Sequence, residues 1–131
     1  MTTKELQITS YEQAVSLNDV GFDWDCFHAY RIRDNELGKA GELVDYQGNI
    51  GNPDYTTAPT VALALKWFRE VQNIKNGVQI LGNYKGLVYI GNYAKDGEET
   101  QFIGYTNSGF LTYEEAESAL LDELLELIKT E

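Results

Sequence analysis

Asp23-Trp24-Asp25-Cys26-Phe27-His28 is the one stretch of this chain where reactive side-chain types crowd together. A transition-metal site would need three or four converging ligands, and the chain has one cysteine and one histidine in total. Asp23 and Asp25 could meet a hard cation, but the spaced acids and glycine of a calcium loop are missing. As nucleophile and base, Cys26 and His28 share a strand face yet stand about 6.5–7 Å apart, two strand rises. A hydrogen bond of about 3 Å between them would require a bulge. The sequence therefore predicts a buried thiol beside a half-buried imidazole, with catalysis by Cys26 as the competing reading.

The glycines invite comparison with phosphate loops, but no G-x-x-x-x-G-K-[ST] occurs. Neither Gly38-Lys39-Ala40-Gly41 nor Gly48-Asn49-Ile50-Gly51 lies between a buried strand and a helix, so turn chemistry explains both. The nine tyrosines are more telling. Tyr84, Tyr89, Tyr93 and Tyr105 fall on a predicted meander, and Tyr46 and Tyr55 flank a Gly/Asn-rich loop. Tyrosine joins a rigid apolar body to a polar tip, which suits an interface or a ligand pocket. It also suits a half-exposed strand for propensity alone.

Twenty-one acids against ten bases leave a net charge of −11. Residues 113–131 hold seven acids and one base, so that tail carries −6 and the first 112 residues −5. Such a balance repels nucleic-acid phosphates and anionic membranes, which need clustered Lys and Arg. It favours solubility, or a basic protein as partner. Glu115, Asp122, Glu123 and Glu126 fall on the polar side of a predicted final helix, either as a solvated face or as a surface for that partner.

These residues must be positioned by an ordinary globular chain. With 131 residues, 43% hydrophobic and 24% charged, composition argues for a packed core and against disorder. No linker divides the sequence, so one domain spanning 1–131 is expected. No run of about 18 apolar residues suggests a membrane span. Met1 to Leu6 lacks the basic start and apolar core of a signal peptide. The lone cysteine fits a reducing compartment, and the expectation is a cytoplasmic protein.

Ser10 with Gln13 forms a capping box for a first helix to Val20, with Tyr11, Ala14 and Val15 on one face. Gly21 and Phe22 supply its left-handed stop and hydrophobic contact. A strand follows over Cys26 to Arg33, with Cys26, His28, Tyr30 and Ile32 on one side. Another runs over Glu42 to Tyr46, and Gln47 to Thr57 reads as loop. A central helix starts near Thr57 or Ala58 with Pro59 in its first turn, and ends at Asn76-Gly77. Its stripe is Val61, Ala64, Leu65, Phe68 and Val71, with Trp67 at the flank, as core or as a dimer contact.

Three strands come next, in which Gly77-Val-Gln-Ile-Leu-Gly82-Asn83-Tyr84 recurs as Gly86-Leu-Val-Tyr-Ile-Gly91-Asn92-Tyr93. Asp96-Gly97 predicts a type I′ hairpin that pairs Gly91 with Phe102 and Tyr89 with Gly104. Thr112 with Glu115 caps a last helix that turns Ala116, Leu120, Leu124 and Leu127 inward, with Leu121, Leu125 and Ile128 widening its apolar face. The order α-β-β-α-β-β-β-α implies an α+β domain, two layers with helices on an antiparallel sheet. The wide apolar faces suit either a monomer or a homodimer.

Ala58-Pro59-Thr60, Lys66-Trp67-Phe68-Arg69-Glu70-Val71 and, more loosely, Thr112-Tyr113-Glu114-Glu115-Ala116 resemble small proteins encoded by phages and prophages of gut Bacteroidetes. The resemblance implies a genomic setting and a fold, and it brings no catalytic residue, cofactor or metal with it. The function expected is binding without catalysis, as a phage accessory protein that acts on a host or phage protein, a defence antagonist among the possible forms. The alternative is a sponge for a small ligand or nucleotide stacked on the tyrosines.

Overall fold

The computed structural model describes residues 7–31, 42–48, 55–83, 86–104 and 109–129. They form an α+β fold, with helices α1 (Tyr11–Asp19), α2 (Val61–Glu70) and α3 (Tyr113–Lys129). The strands are β1 (Cys26–Arg31), β2 (Glu42–Gly48), β3 (Tyr55–Thr57), β4 (Ile74–Asn83), β5 (Gly86–Lys95) and β6 (Gln101–Ile103). The expected sheet is two sheets, each antiparallel and three-stranded, in the orders β2-β1-β3 and β4-β5-β6. The chain divides into two compact units, Met1–Thr60 and Val61–Glu131. Among the described residues no helix is long and apolar enough to cross a membrane.

In the first unit, local sequence signals translate directly. Ser10 Oγ accepts from the Gln13 amide at 3.1 Å, and Gln13 Oε1 accepts from the Ser10 amide at 3.0 Å. At the other end of α1, Gly21 adopts φ +100°, the Phe22 amide donates to Leu17 O at 2.9 Å and the Gly21 amide to Asn18 O at 3.3 Å. This pair of bonds is the Schellman stop. Phe22 is buried, as are Gln13, Ala14 and Leu17 of the helix, whereas Tyr11 and Val15 are half-buried.

Two expectations for this unit are corrected. Tyr55–Thr57 is a strand inside the segment read as loop, because Tyr55, Thr56 and Thr57 pair with Arg31, Tyr30 and Ala29. Burial along β1 does not alternate regularly, and between Cys26 and His28 its register with β2 shifts, two steps of β1 matching three of β2. Cys26 and Ala29 are both buried while Phe27 is 75% exposed, a spacing that period two does not give. The Gly38–Gly41 turn, Ile32, Arg33, residues 49–54 and the Met1–Leu6 start lie outside the described residues.

In the second unit, α2 is shorter at both ends than expected. Pro59 precedes the helix, and its carbonyl accepts from both the amide (3.0 Å) and hydroxyl (2.9 Å) of Thr9. After Glu70 the chain turns at Asn73, which has φ +57°, so Asn76 and Gly77 stand inside β4. Asn76 ties strand to helix: its Nδ2 donates to Leu65 O and Ile74 O, and its Oδ1 accepts from Arg69 Nη1. Trp67 is buried in place of Val71, which is 47% exposed. Ala116, Leu120, Leu121, Leu124 and Leu125 form the buried side of α3, and Leu127 is half-buried.

The β5–β6 register is one residue off the expectation. Gly91 pairs with Ile103, Asn92 with Phe102 and Tyr93 with Gln101. A type I′ turn needs positive φ at both central residues, and here Gly97 has it (φ +81°) while Asp96 does not. Tyr89 then bridges Phe110 rather than Gly104. The aromatic that covers Gly104 is accordingly Phe110.

Candidate functional site

Cys26, the strongest chemical candidate in the sequence, is held as a structural thiol. Its Sγ donates to Trp24 O at 3.4 Å, and the Thr57 side chain hydrogen-bonds the sulfur. Burial, the largest influence, lifts the thiol from its ordinary 9.0 to about 11; the Thr57 bond opposes this and the nearby Asp25 charge adds to it. A nucleophilic cysteine needs the thiolate at neutral pH, and this environment works against it. Because the folded value is the higher one, the stability contributed is complete below pH 9 and disappears as pH rises towards 11. Cys26 should therefore react with a thiol reagent at pH 7 far more slowly in the native protein than in urea. Equal rates in the two conditions would show that the thiol is not buried. The register shift between Cys26 and His28 places its extra residue on β2 and so does not draw these two side chains together, and the sulfur's bonds go to Trp24 and Thr57. Among the described residues no three His, Cys, Asp or Glu side chains converge as a metal site.

The tyrosines and acids separate by unit. Tyr46 and Tyr55 stand on β2 and β3 of the first unit, while Tyr89 and Tyr93 stand on β5 of the second. Tyr84 and Tyr105 lie outside the described residues. Glu115, Asp122, Glu123 and Glu126 are all exposed on α3. One of them meets a tyrosine: the Tyr93 hydroxyl donates to Glu123 Oε1 at 3.3 Å, across thirty positions of sequence. Partial burial, then the Glu123 charge and this bond, raise the Tyr93 hydroxyl above its usual range, so it remains a donor at neutral pH.

Tyr93 also lines a cleft of about 460 Å³ with Lys95, Glu98, Glu99, Gln101 and Leu127. β5 delivers Tyr93 and Lys95, the turn after it Glu98 and Glu99, β6 Gln101, and the last turns of α3 Leu127. Helix and strand can approach because Leu120 lies over Gly91, where a Cβ would come within 3.3 Å of it. Further along the same helix Tyr113 meets Tyr89 edge-on at 6.1 Å. Tyr113 and Glu117 both have raised pKa values, chiefly through burial, with Arg69 opposing the shift in each. Sequence reading had named Tyr93 and Glu123 separately. Glu98, Glu99 and Gln101 carry no sequence signal beyond proximity to the Asp96-Gly97 turn, and Leu127 reads from its helical spacing as core rather than as a cleft wall.

Compared with protein-family models, with curated proteins and with solved structures, the chain matches none.

Proposed function

We propose that this chain is a small acidic binding protein, without catalysis of its own, that engages a basic protein through the cleft beside Tyr93. A phage or prophage setting, with a host or phage protein as target, is the form of this reading that the resemblance of the central and final helices supports. The carrying observation is the meeting of Tyr93 with Glu123 at a cleft that also holds Glu98 and Glu99. Glu98 and Glu99 in the lining outweigh the ammonium of Lys95, and Glu123 adds its charge through the Tyr93 hydroxyl. A phenol ring beside carboxylates suits a lysine or arginine side chain, through charge-assisted hydrogen bonds and contact with the ring face. A nucleotide would bring phosphate charge against these same acids, which counts against the sponge alternative at this cleft.

The test is capture from a bacterial host lysate at low and high salt, comparing wild type with Glu98→Gln/Glu99→Gln/Glu123→Gln. Wild type should retain a basic protein that salt elutes, and the variant should bind that same protein about tenfold or more weakly with a flatter salt dependence. Unchanged affinity in the variant would remove the cleft from the mechanism.

A further inference from the structure

β4 is a ten-residue edge strand, paired with β5 on one side and with no strand on the other among the described residues. The hydrogen bonds of β5 show which of its groups face outward. Tyr89 and Phe110 exchange both backbone bonds, Tyr89 N to Phe110 O at 2.9 Å and Phe110 N to Tyr89 O at 2.7 Å. The N–H and C=O of Tyr89 therefore point away from β4, which makes its β4 neighbour Ile80 one half of a non-hydrogen-bonded pair. Ile80 must then direct its own N–H and C=O outward. The β4–β5 ladder runs without a bulge, so Ile74, Asn76, Val78 and Gly82 do the same. The bond from Asn76 Nδ2 to Ile74 O agrees with that direction.

This edge lacks the usual protections against pairing: it has no proline, no bulge and one charge, Lys75. Ile80 is 56% exposed and Leu81 36%, and Leu87 opposite Gly82 is 63% exposed. Electrostatics marks it out as well. Residues 71–95 contain no acid and three lysines, Lys75, Lys85 and Lys95, in a chain of net charge −11. The strand therefore brings no carboxylate of its own to the strand of a second copy.

We propose that β4 pairs antiparallel with β4 of a second copy about a two-fold axis through Gln79, joining two three-stranded sheets into one. The occupant follows from self-complementarity. In an antiparallel pair, directly opposed residues must both face the partner or both face away, so outward residues must oppose outward residues. The axis at Gln79 sets Asn76 against Gly82 and Val78 against Ile80, using all four in about eight backbone hydrogen bonds. It also sets Leu81 against Gly77, a large side chain over an open glycine, and keeps the two Lys75 residues apart. An isologous contact of this kind closes at two copies. The surface is separate from the Tyr93 cleft, and the proposal does not depend on that reading.

The experiment combines sedimentation of the intact protein across a range of concentrations with amide hydrogen exchange at the two ends of that range. Wild type should pass from monomer to dimer mass, and the Asn76, Val78, Ile80 and Gly82 amides should slow by about tenfold or more as it does. Val78→Lys/Ile80→Lys and Val78→Glu/Ile80→Glu should each sediment as monomers and form a mixed dimer when combined. A wild type that is monomeric throughout overturns the proposal. So does a dimer whose β4 amides exchange at a rate independent of concentration, a measurement that needs no variant to fold.

Discussion

Trp67→Ala should lower the stability of the protein by about 3–5 kcal/mol, the usual cost of emptying a large buried aromatic site. Trp67 is 1% exposed and meets Phe68, itself wholly buried, edge-on with ring centroids 5.1 Å apart. Single domains hold only about 5–15 kcal/mol in all, so the variant should unfold at a much lower urea concentration. Val71→Ala is the control. Val71 belongs to the helical stripe by sequence, but it is 47% exposed just beyond the end of α2, so its loss should cost no more than about 0.5 kcal/mol. If the two variants lost similar stability, the assignment of Trp67 to the core would be wrong. The burial also decides between the two roles the sequence left open, since a side chain already covered cannot serve as an exposed dimer contact.

The second large effect is expected at Gly109, where backbone conformation and a close approach act together. Gly109 has φ +81°, and a Cβ there would lie 2.9 Å from Val88 Cβ and 3.1 Å from Tyr89 O. The left-handed conformation costs an alanine about 1–2 kcal/mol, and crowding of a packed contact typically adds about 1–3 kcal/mol. Gly109→Ala should therefore cost about 2–5 kcal/mol. It should also loosen the Tyr89–Phe110 bridge that closes this side of β5. Gly97→Ala separates the two causes, because Gly97 has the same φ of +81° with nothing within 4 Å of a Cβ. It should lose the conformational part alone, about 1–2 kcal/mol. Equal losses at the two positions, measured by denaturant titration, would mean that the contact with Val88 and Tyr89 O contributes nothing.

The two glycines also show where a local rule stops. Asp96-Gly97 announces a turn, and a turn forms, with the Glu98 amide on Lys95 O at 2.9 Å. Its type, and with it the register of β6, depended on whether Asp96 would accept positive φ. The ladder beyond the turn decided that, with Phe110 taking the place opposite Tyr89. A one-residue shift of this kind moves every side chain of the edge strand, and no single residue in the sequence encodes it.

By itself the sequence determined the features whose physics is contained within a few residues. Ser10 and Gln13 close a capping box, Gly21 and Phe22 complete a helix stop, and the apolar spacing of Ala116 to Leu125 turns α3 inward. The α+β class and the −11 charge were equally legible. Tertiary structure decided what depends on partners far apart in the chain. It drew Tyr55–Thr57 into a sheet against β1, ended α2 at Glu70 so that Ile74 could be buried as a strand residue, and brought Tyr93 to Glu123. The reason is that local hydrogen bonds and φ preferences are fixed by neighbouring residues. Burial and strand pairing are fixed by whichever distant surface removes the side chain from water and satisfies the backbone.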